Sequence, residues 1–557
     1  MDATQMVGAV DSPWQTGMTR RAIAVGCSFL GLLAVVPCLF GTSPTGEAVE
    51  SFLEAFRGRR MAAAGSGALA PLLGDGSAVD YWFAYKLETE AFPQCSATPS
   101  CIFGGEVQDY KHSFGLQYLL SSSTAGKTTL LTLNSDCLGS GADPVATTFA
   151  QVFNGDVPNY VVWNDQFYGD PNPDVDPKCS GYCAAPWGHS KGIMAWGEDG
   201  IGVVMQVTTP DWPGSGSKDH PRKEQGNTLG CCKDDNVLVA QHFFSVRLAT
   251  VEDTQTVLEA LQRASVVTDP SNPQLVKLTS GPSQLKKIAK SLGKVVLDNT
   301  TPYQGTLSVK SPSGKQIRLI AKPAGLHVTP RQMVSSLIGV GLRTATWWGT
   351  PEIDSTKAGC MPGCWDSSLA APEEVQIALS GQWAGKTMSM EGKVTPDGNP
   401  AKIGHSLTGH VAVFGDMNQE GALKASDSST GCKSSQNGRG GLFFVVDDKV
   451  LHSGLKELLT GSTAKYAGGG HGPSPSPPSP PSPPSPSPPS PPSPTDPCGG
   501  AGSPYSTCKK SSAHCHYVHN ADAVKCGVSG YGCYKASSLA RGCPKKSSDI
   551  DSAEILA

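Results

Sequence analysis

Gly188-His189-Ser190-Lys191-Gly192 lies between two strand-like runs, Tyr160-Val161-Val162-Trp163 before it and Ile201-Gly202-Val203-Val204-Met205 after it. Both runs are short and rich in branched and aromatic residues, which is typical of β-strands. If the polar segment between them is also extended, alternation places His189 and Lys191 on the same face. The sequence therefore predicts a polar motif carried by a β-sheet.

Similar runs recur from about Pro71 to Leu459, separated by turns rich in Gly, Asn and Asp. Trp82-Phe83-Ala84-Tyr85 and Gly441-Leu442-Phe443-Phe444-Val445-Val446 are two of them. Helices are predicted at Val251 to Ala264, which has one apolar face, and at Ser283 to Leu292. Strands mixed with helices predict a layered α/β or α+β domain.

The pair His189 and Lys191 suits the cleavage of a phosphodiester. A neutral imidazole can attack phosphorus and form a phosphohistidine, while a nearby ammonium group neutralises the phosphoryl oxygens. Such a site needs no metal ion, because cationic side chains carry the charge. A His-x-Lys pair also occurs by chance in many chains, so the motif needs support from its surroundings.

Further segments surround the motif in an order that resembles the deoxyribonuclease II family. The motif itself is similar to the first catalytic motif of that family. The resemblance covers about residues 72–460, and its other segments are Val79-Asp80-Tyr81-Trp82-Phe83-Ala84-Tyr85-Lys86-Leu87, Trp163-Asn164-Asp165-Gln166, Thr209-Pro210-Asp211-Trp212-Pro213, Gly415-Asp416-Met417-Asn418 and Gly438-Arg439-Gly440-Gly441.

This resemblance implies two similar halves that form a pseudo-dimer of the phospholipase D type, each supplying a His-x-Lys to one central site. It implies endonucleolytic cleavage of DNA in acid, without metal or other cofactor, leaving 3′-phosphate ends. By analogy His189 is the nucleophile and His405 the general acid that protonates the leaving 5′ oxygen, although the two roles could be exchanged. Lys191 then contacts the phosphate.

The second motif departs from the family pattern. A His-Ser-Lys-Trp is expected, but the chain has His405-Ser406-Leu407-Thr408, and the spacing to Gly415 is a few residues short. Lys402 or Arg439 could replace the missing lysine in space, and His410 is an alternative second histidine. A protein that keeps the fold but binds DNA or an extracellular polyanion without cutting it is therefore the alternative function.

Four side chains are candidates for binding the DNA: Asn164, Lys402, Asn418 and Arg439. A structural role is the alternative for three of them. Asn164 and Asn418 could close turns after their strands, and Arg439 could lie at a hairpin tip.

The N-terminal residues 1–43 predict a signal peptide or a signal anchor. Arg20 and Arg21 precede an apolar run from Ala22 to Phe40, which is the charge order of a secretory signal and just long enough to span a bilayer. A membrane contact is expected only if this segment stays uncleaved. The chain is thus expected in the secretory pathway, outside the cell or in a compartment like the lysosome or vacuole.

Cysteine usage agrees with export. Outside the apolar run there are ten Cys up to Cys432 and six from Cys498 on, and even numbers favour disulfides. Cys179 with Cys183, and Cys360 with Cys364, are expected to pair. Asn299-Thr300-Thr301 is a possible N-glycosylation site.

Residues 473–497 form a Ser-Pro tract that predicts an extended polyproline II linker. Residues 498–543 form a six-Cys module that needs disulfides to fold, since it has few large apolar side chains. From Cys498 to Lys546 there are seven Lys or Arg and one Asp, so the module could bind a polysaccharide or another polyanion. Histidines near Cys515 more often lie free on a surface than bind metal.

Charge also favours acid conditions for binding DNA. The formal charge is −4 at pH 7, which gives no strong attraction to a polyanion. Protonation of the twelve histidines would change it to about +8.

Overall fold

Two large β-sheets, with helices beside them, make up most of the described protein. The computed structural model describes residues 69–92, 117–124, 126–134, 137–138, 142–153, 157–167, 173–179, 181–210, 212, 239–347, 353–392, 397–419, 423, 431–433, 435–467, 500–501, 515–518 and 532–535. The predicted N-terminal signal (1–43) and Ser-Pro linker (473–497) lie outside these residues, as does most of the six-Cys module. The mixed α+β class predicted from the sequence is confirmed.

The first sheet contains nine strands and carries the His-Ser-Lys motif. Its strands are β1 (Tyr81–Lys86), β2 (Tyr118–Thr124), β3 (Lys127–Thr128), β4 (Thr132–Leu133), β5 (Asn159–Asn164), β6 (Lys191–Trp196), β7 (Gly202–Val207), β8 (Gln241–Leu248) and β9 (Val276–Leu278). Their order is β3-β2-β1-β8-β7-β6-β5-β9, with β4 paired to β2. The motif thus enters an interior strand, β6, which has neighbours on both sides.

The second sheet contains seven strands: β10 (Tyr303–Lys310), β11 (Gln316–Lys322), β12 (Leu342–Ala345), β13 (Val375–Ile377), β16 (Ile403–Ser406), β17 (Val411–Gly415) and β18 (Gly441–Asp447). Their order is β10-β11-β18-β17-β16-β12-β13. Between β13 and β16 along the chain, β14 (Ser380–Trp383) and β15 (Lys386–Ser389) form a separate two-stranded sheet.

Five α-helices lie among the described residues: α1 (Pro144–Phe153), α2 (Val251–Arg263), α3 (Ser283–Ala289), α4 (Pro330–Ile338) and α5 (Lys449–Leu458). Two short 3-10 turns, Gly431–Lys433 and Ser435–Gly438, precede β18. The two predicted helices are confirmed as α2 and α3, although α3 ends earlier than expected. α2 begins at Val251 because Thr250 caps it: the Thr250 side chain accepts a hydrogen bond from the Asp253 N–H.

Aromatic side chains fill the space between the two sheets. Phe414 from β17 stacks on Phe83 and on Phe244, with ring centroids 4.6 Å apart in both cases. Phe244 also meets Phe444, at 5.3 Å. All four rings are buried. Alternation along each strand points these rings to the inner face, so the two sheets share one apolar interior.

Two disulfides have both of their cysteines among the described residues, and Cys137 is also disulfide-bonded. Cys179 is bonded to Cys183, as the sequence predicted. The expected pairing of Cys360 with Cys364 is wrong, because Cys364 is bonded to Cys432, 68 residues later. Cys360 is exposed and has no disulfide partner among the residues described. The prediction relied on the four-residue spacing that Cys360 and Cys364 share with Cys179 and Cys183. A disulfide requires Cβ atoms that are close in space, which spacing in the chain does not ensure.

The chain divides into two units, residues 1–476 and 477–557. In the second unit, β19 (Gly500–Ala501), β20 (Cys515–Val518) and β21 (Gly532–Lys535) form a three-stranded antiparallel sheet in the order β19-β21-β20. Within the part of the chain that the structure covers, no helix combines the length and apolarity needed to cross a bilayer.

Phe414→Ala tests whether the shared aromatic interior stabilises both sheets. Truncating a fully buried Phe should lower the free energy of unfolding by about 3 to 5 kcal/mol, since contacts are lost on two facing rings. Phe414→Leu, which keeps more of the volume, should cost clearly less. Urea unfolding monitored by circular dichroism measures both, and a loss below about 1 kcal/mol for the alanine variant would contradict this packing.

Candidate active site

The His-Ser-Lys motif is held from both sheets. The Gly188 N–H donates to the Ser265 carbonyl and the His189 N–H to the Gly440 carbonyl, each at 2.9 Å. Gly440 directly precedes β18, so the second sheet contacts the segment that leads into β6. A side chain at Gly188 or Gly440 would meet the carbonyl oxygen of Ala264 at 2.4 or 2.1 Å, so the approach of these segments requires glycine.

His189 is oriented by the backbone of the second sheet. Its Nδ1 lies 2.6 Å from the Asp416 carbonyl oxygen, and a carbonyl only accepts, so Nδ1 carries the hydrogen. The neutral ring therefore has its lone pair on Nε2. Burial, followed by nearby Lys191, lowers the pKa of His189 well below its usual value. The ring consequently remains neutral, and able to act as a nucleophile, in mildly acid solution.

Asp165 binds two cations that come from different sheets. One carboxylate oxygen lies 2.6 Å from Lys191 Nζ and the other 2.7 Å from Arg439 Nη2. Burial opposes the ionisation of Asp165, but Lys191, His189 and Arg439 outweigh it and lower its pKa. The carboxylate thus stays charged in acid and fixes the Lys191 ammonium in place.

Arg439, predicted to contact DNA, is buried with 1% of its surface exposed, and its guanidinium is occupied by groups of the protein. Its guanidinium donates to Asp165, to the Tyr182 hydroxyl and to three carbonyl oxygens, those of Cys183, Trp187 and Gly188. These bonds hold the loop before the motif against the second sheet. The structure therefore places Arg439 beneath the site as a positioning group.

Asp416 contacts the motif through both its backbone and its side chain. Its carboxyl accepts a short hydrogen bond from Ser190 Oγ and another, at 2.8 Å, from the Leu442 N–H. Trp163 Nε1 also donates to Ser190 Oγ, at 2.8 Å. Burial raises the pKa of Asp416 to about 7, against the opposing effect of its hydrogen bonds. In acid this carboxyl therefore takes up a proton and loses its negative charge.

Lys402 joins this cluster from the second sheet. It immediately precedes β16, is only 3% exposed, and donates from Nζ to the Pro400 carbonyl at 2.5 Å. Burial, then Lys191, lowers the pKa of Lys402 well below its usual value, while Asp165 and Asp416 act in the opposite direction. Lys402 in turn contributes to lowering the pKa of His189.

His405 is not brought to the cluster. It lies in β16, three residues after Lys402. In an extended chain their Cα atoms are about 10 Å apart and their side chains point to opposite faces. Its ring makes an edge contact with His452, centroids 5.2 Å apart, and burial lowers its pKa to about 4. His410 lies on the far side of His452, at 5.8 Å. The structure thus separates both candidate second histidines from His189.

The two asparagine candidates differ. Asn164 is fully buried, donates to the carbonyls of Thr209 and Trp212, and accepts from the Gln166 N–H. All of these bonds close a loop, as in the alternative structural role. Asn418 is also buried, and its side-chain oxygen has no hydrogen-bond partner among the described residues.

The cluster has an excess of positive charge. Four buried cations, Lys191, Arg331, Lys402 and Arg439, interact with two buried carboxyls, Asp165 and Asp416. Burial of positive charge is costly and lowers the pKa values of Lys191 and Lys402, and an anion bound beside them would favour their charged forms. The arrangement therefore favours binding of an anionic group beside the neutral His189.

Sequence reasoning missed the roles of two of these residues. Asp165 and Asp416 lie in segments that the family resemblance picked out, but the sequence left a turn and a site role equally open for Asp416 and slightly favoured a turn for Asp165. Their burial depends on contacts between sheets far apart in the chain, so local spacing gave no signal of it. An acidic residue directly after a strand, within a family segment, was the only available indication.

A comparison with protein-family models matches residues 72–460 to the family described as Deoxyribonuclease II. No curated protein matches the chain significantly. The family match spans both large sheets and every residue of the cluster.

Asp165→Asn tests the carboxylate that holds Lys191 and Arg439. Loss of its charge leaves two buried cations unpaired, so the free energy of unfolding at pH 7 should fall by about 3 to 5 kcal/mol. The folded-state pKa of Asp165 is depressed, so its contribution is fully present above about pH 4 and declines as the solution becomes more acid. The difference from the unmodified protein should therefore shrink below about pH 3.

Asp174→Asn is the matched control, because Asp174 and Lys178 form an exposed ion pair at 3.7 Å. Exposed pairs contribute little, so this variant should change the free energy of unfolding by less than about 1 kcal/mol. Equal effects of the two substitutions in urea unfolding would show that the buried pairing of Asp165 does not stabilise the fold.

Proposed function

Since the chain belongs to the deoxyribonuclease II family, and is therefore a deoxyribonuclease hydrolase, we propose that it cuts DNA in acid without a metal, through a phosphohistidine on His189. One observation carries this proposal. His189 is buried, neutral and oriented with Nε2 available, close to Lys191 and to Lys402, which has no ion pair among the described residues.

We also propose that the domain consists of two similar halves. Five strands of the first sheet, β1-β8-β7-β6-β5, correspond to β11-β18-β17-β16-β12 of the second in sheet order and in chain order, and all neighbours among them pair antiparallel. Helices occupy matching places in the chain. α1 comes before β5 in the first half, and α4 comes before β12 in the second. Likewise α2 comes after β8, and α5 comes after β18. This correspondence supports a pseudo-dimer in which β6 and β16 are equivalent.

The two lysines then occupy equivalent positions. Lys191 pairs with Asn164 on β5 at the start of β6. Lys402 stands at the start of β16, where its carbonyl accepts from the Gly415 N–H at 3.0 Å. Each lysine thus lies at the start of an interior strand of its half. Lys402, rather than any residue near Leu407, is therefore the proposed second lysine of the site, and His405 is not retained as the general acid.

In the proposed reaction the phosphodiester lies between the two lysines. His189 Nε2 attacks phosphorus, the 5′ oxygen leaves, and water later releases a 3′-phosphate. Lys191 and Lys402 neutralise the charge that grows on the phosphoryl oxygens. In acid, His189 remains an unprotonated nucleophile while Asp416 becomes neutral, so the net positive charge around the phosphate increases.

A second candidate is a protein that binds DNA or another polyanion without cutting it. The observation in its favour is that neither His405 nor His410 reaches the cluster, so the second imidazole of the family scheme has no counterpart at those positions. Binding by the basic cluster would remain, but the leaving oxygen would have no histidine to protonate it.

The surroundings that we propose are the secretory pathway, outside the cell or in an acid compartment. The apolar run after Arg20 and Arg21 and the even cysteine counts support this location. We further propose that the basic six-Cys module binds a polysaccharide or other polyanion, which its surplus of Lys and Arg supports.

Plasmid cleavage in EDTA from about pH 4 to 8 tests the proposed function. We expect nicking that increases in acid and products that carry 3′-phosphates. His189→Ala should abolish it, because no nucleophile remains, whereas the surface variant Asp174→Asn should cut normally. An intact plasmid at every pH, despite a folded protein that retards DNA in a gel, would instead support binding without cleavage.

A further inference from the structure

The second half lacks a histidine where the first half has His189. His189 lies two residues before Lys191, and the residue two before Lys402 is Pro400. The segment before each lysine contacts the other half at a corresponding place, although the two hydrogen bonds run in opposite directions and Pro400 has no N–H to donate. The His189 N–H bonds to Gly440, just before β18, and the Ala240 N–H, just before β8, bonds to Gly398. Proline cannot transfer a proton, so one imidazole of a two-histidine site is absent.

We propose that Lys402 is the general acid of this enzyme, donating its proton to the leaving 5′ oxygen in place of the second imidazole. The proposal rests on the function proposed above, and it concerns the protonation of the leaving 5′ oxygen, which His189 cannot carry out. His189 is used as the nucleophile, and its Nδ1 hydrogen is engaged by the Asp416 carbonyl.

The placement of Lys402 Nζ fits this role. The side chain folds back so that Nζ lies 2.5 Å from the Pro400 carbonyl, at the very residue that replaces the histidine. Only one N–H of the ammonium is used there. The other two have no hydrogen-bond acceptor among the described residues, so they are available to a substrate oxygen.

The other buried acids of the cluster are engaged. Lys191 forms its ion pair with Asp165 at 2.6 Å, whereas Lys402 has no ion pair within the described part of the chain. The Asp416 carboxyl is enclosed by Ser190 Oγ and the Leu442 N–H. His242, whose Nδ1 accepts from the Lys402 backbone N–H at 3.2 Å, packs with Phe83 and Phe414 between the sheets. His242 Nε2 has no hydrogen-bond partner among the described residues, but its ring is fully buried between these aromatic side chains, whereas Lys402 Nζ lies beside Pro400, at the position that corresponds to His189.

The proton balance is complete with these groups. His189 Nε2 forms a bond to phosphorus, the bond from phosphorus to the 5′ oxygen breaks, and the Lys402 proton moves to that oxygen. Lys402 is then a neutral amine. It accepts a proton from the water that attacks the phosphohistidine, the bond between nitrogen and phosphorus breaks, and the 3′-phosphate leaves.

Burial, more than the neighbouring charges, makes Lys402 a stronger acid than an ordinary lysine. Lys191 and Arg331 oppose its charge, Asp165 and Asp416 favour it, and burial has the largest effect, so its pKa is lowered. The group is protonated below that pKa, so the first step should slow as the pH rises through it. Activity in acid follows, because His189 is still neutral there.

A DNA oligonucleotide with a single 5′-bridging sulfur at the scissile linkage tests the proposal. A thiolate leaves without a proton, since thiol pKa values are near 8.5, whereas the 5′ alkoxide needs one. Lys402→Arg keeps the positive charge but cannot donate its proton at these pH values. We expect it to cut the oxygen substrate about 100-fold or more slowly and the sulfur substrate at nearly the normal rate.

His189→Ala is the control that separates the two proposals. This variant should cleave neither substrate, because the nucleophile is needed for either linkage. If the unmodified protein cuts neither substrate in EDTA, the proposed function itself fails. If Lys402→Arg loses both substrates equally, or cuts the oxygen substrate normally, Lys402 is not the general acid although the function stands.

The unmodified protein gives a second readout that does not depend on how the variant folds. The decline of kcat/KM towards neutral pH should be present on the oxygen substrate and weaker or absent on the sulfur substrate. Pro400→His combined with Lys402→Arg should restore part of the lost oxygen activity. Parallel pH profiles on the two substrates would overturn the proposal.

Discussion

The Asp165 carboxylate holds the site together, because it binds Lys191 at the start of β6 and Arg439 just before β18. Each of these cations would be unfavourable alone in the interior, and each comes from a different sheet. One buried carboxylate therefore couples the chemistry of the motif to the packing of the two sheets. The aromatic stacking around Phe414 keeps those sheets in the position that this pairing requires.

Burial explains why such a site suits acid. The Asp165 carboxylate stays ionised because its cations are close, while the pKa of Asp416 is raised to about 7 because its hydrogen bonds do not offset burial. As the pH falls, Asp165 keeps the negative charge that positions Lys191. Asp416 loses its negative charge, close to the proposed position of the phosphate. His189 remains neutral throughout this range because burial and neighbouring cations oppose its protonation.

Much of the fold and half of the site could be predicted from the sequence. The strand runs, α2 and the His189-Ser190-Lys191 motif depend on local patterns, which alternation and periodicity report. The second half was harder to predict: His405 was chosen for its resemblance to a motif although its spacing to Gly415 is short, and the structure places its ring beside His452. Aligning the starts of β6 and β16 instead identifies Lys402 as the counterpart of Lys191 and Pro400 as the counterpart of His189. This alignment requires the strand pairing, which is set by contacts distant in sequence.

The central claim is that His189 carries the phosphoryl group during cleavage. The most direct test mixes the unmodified protein with excess DNA in acid, stops the reaction in base within the first turnover, and maps the adduct by peptide mass spectrometry. Base is needed because a bond between phosphorus and imidazole nitrogen is labile in acid. We expect a 3′-phosphoryl nucleotide on the peptide that contains His189. Rapid cleavage with no adduct there, or with the adduct on another residue, would contradict the account.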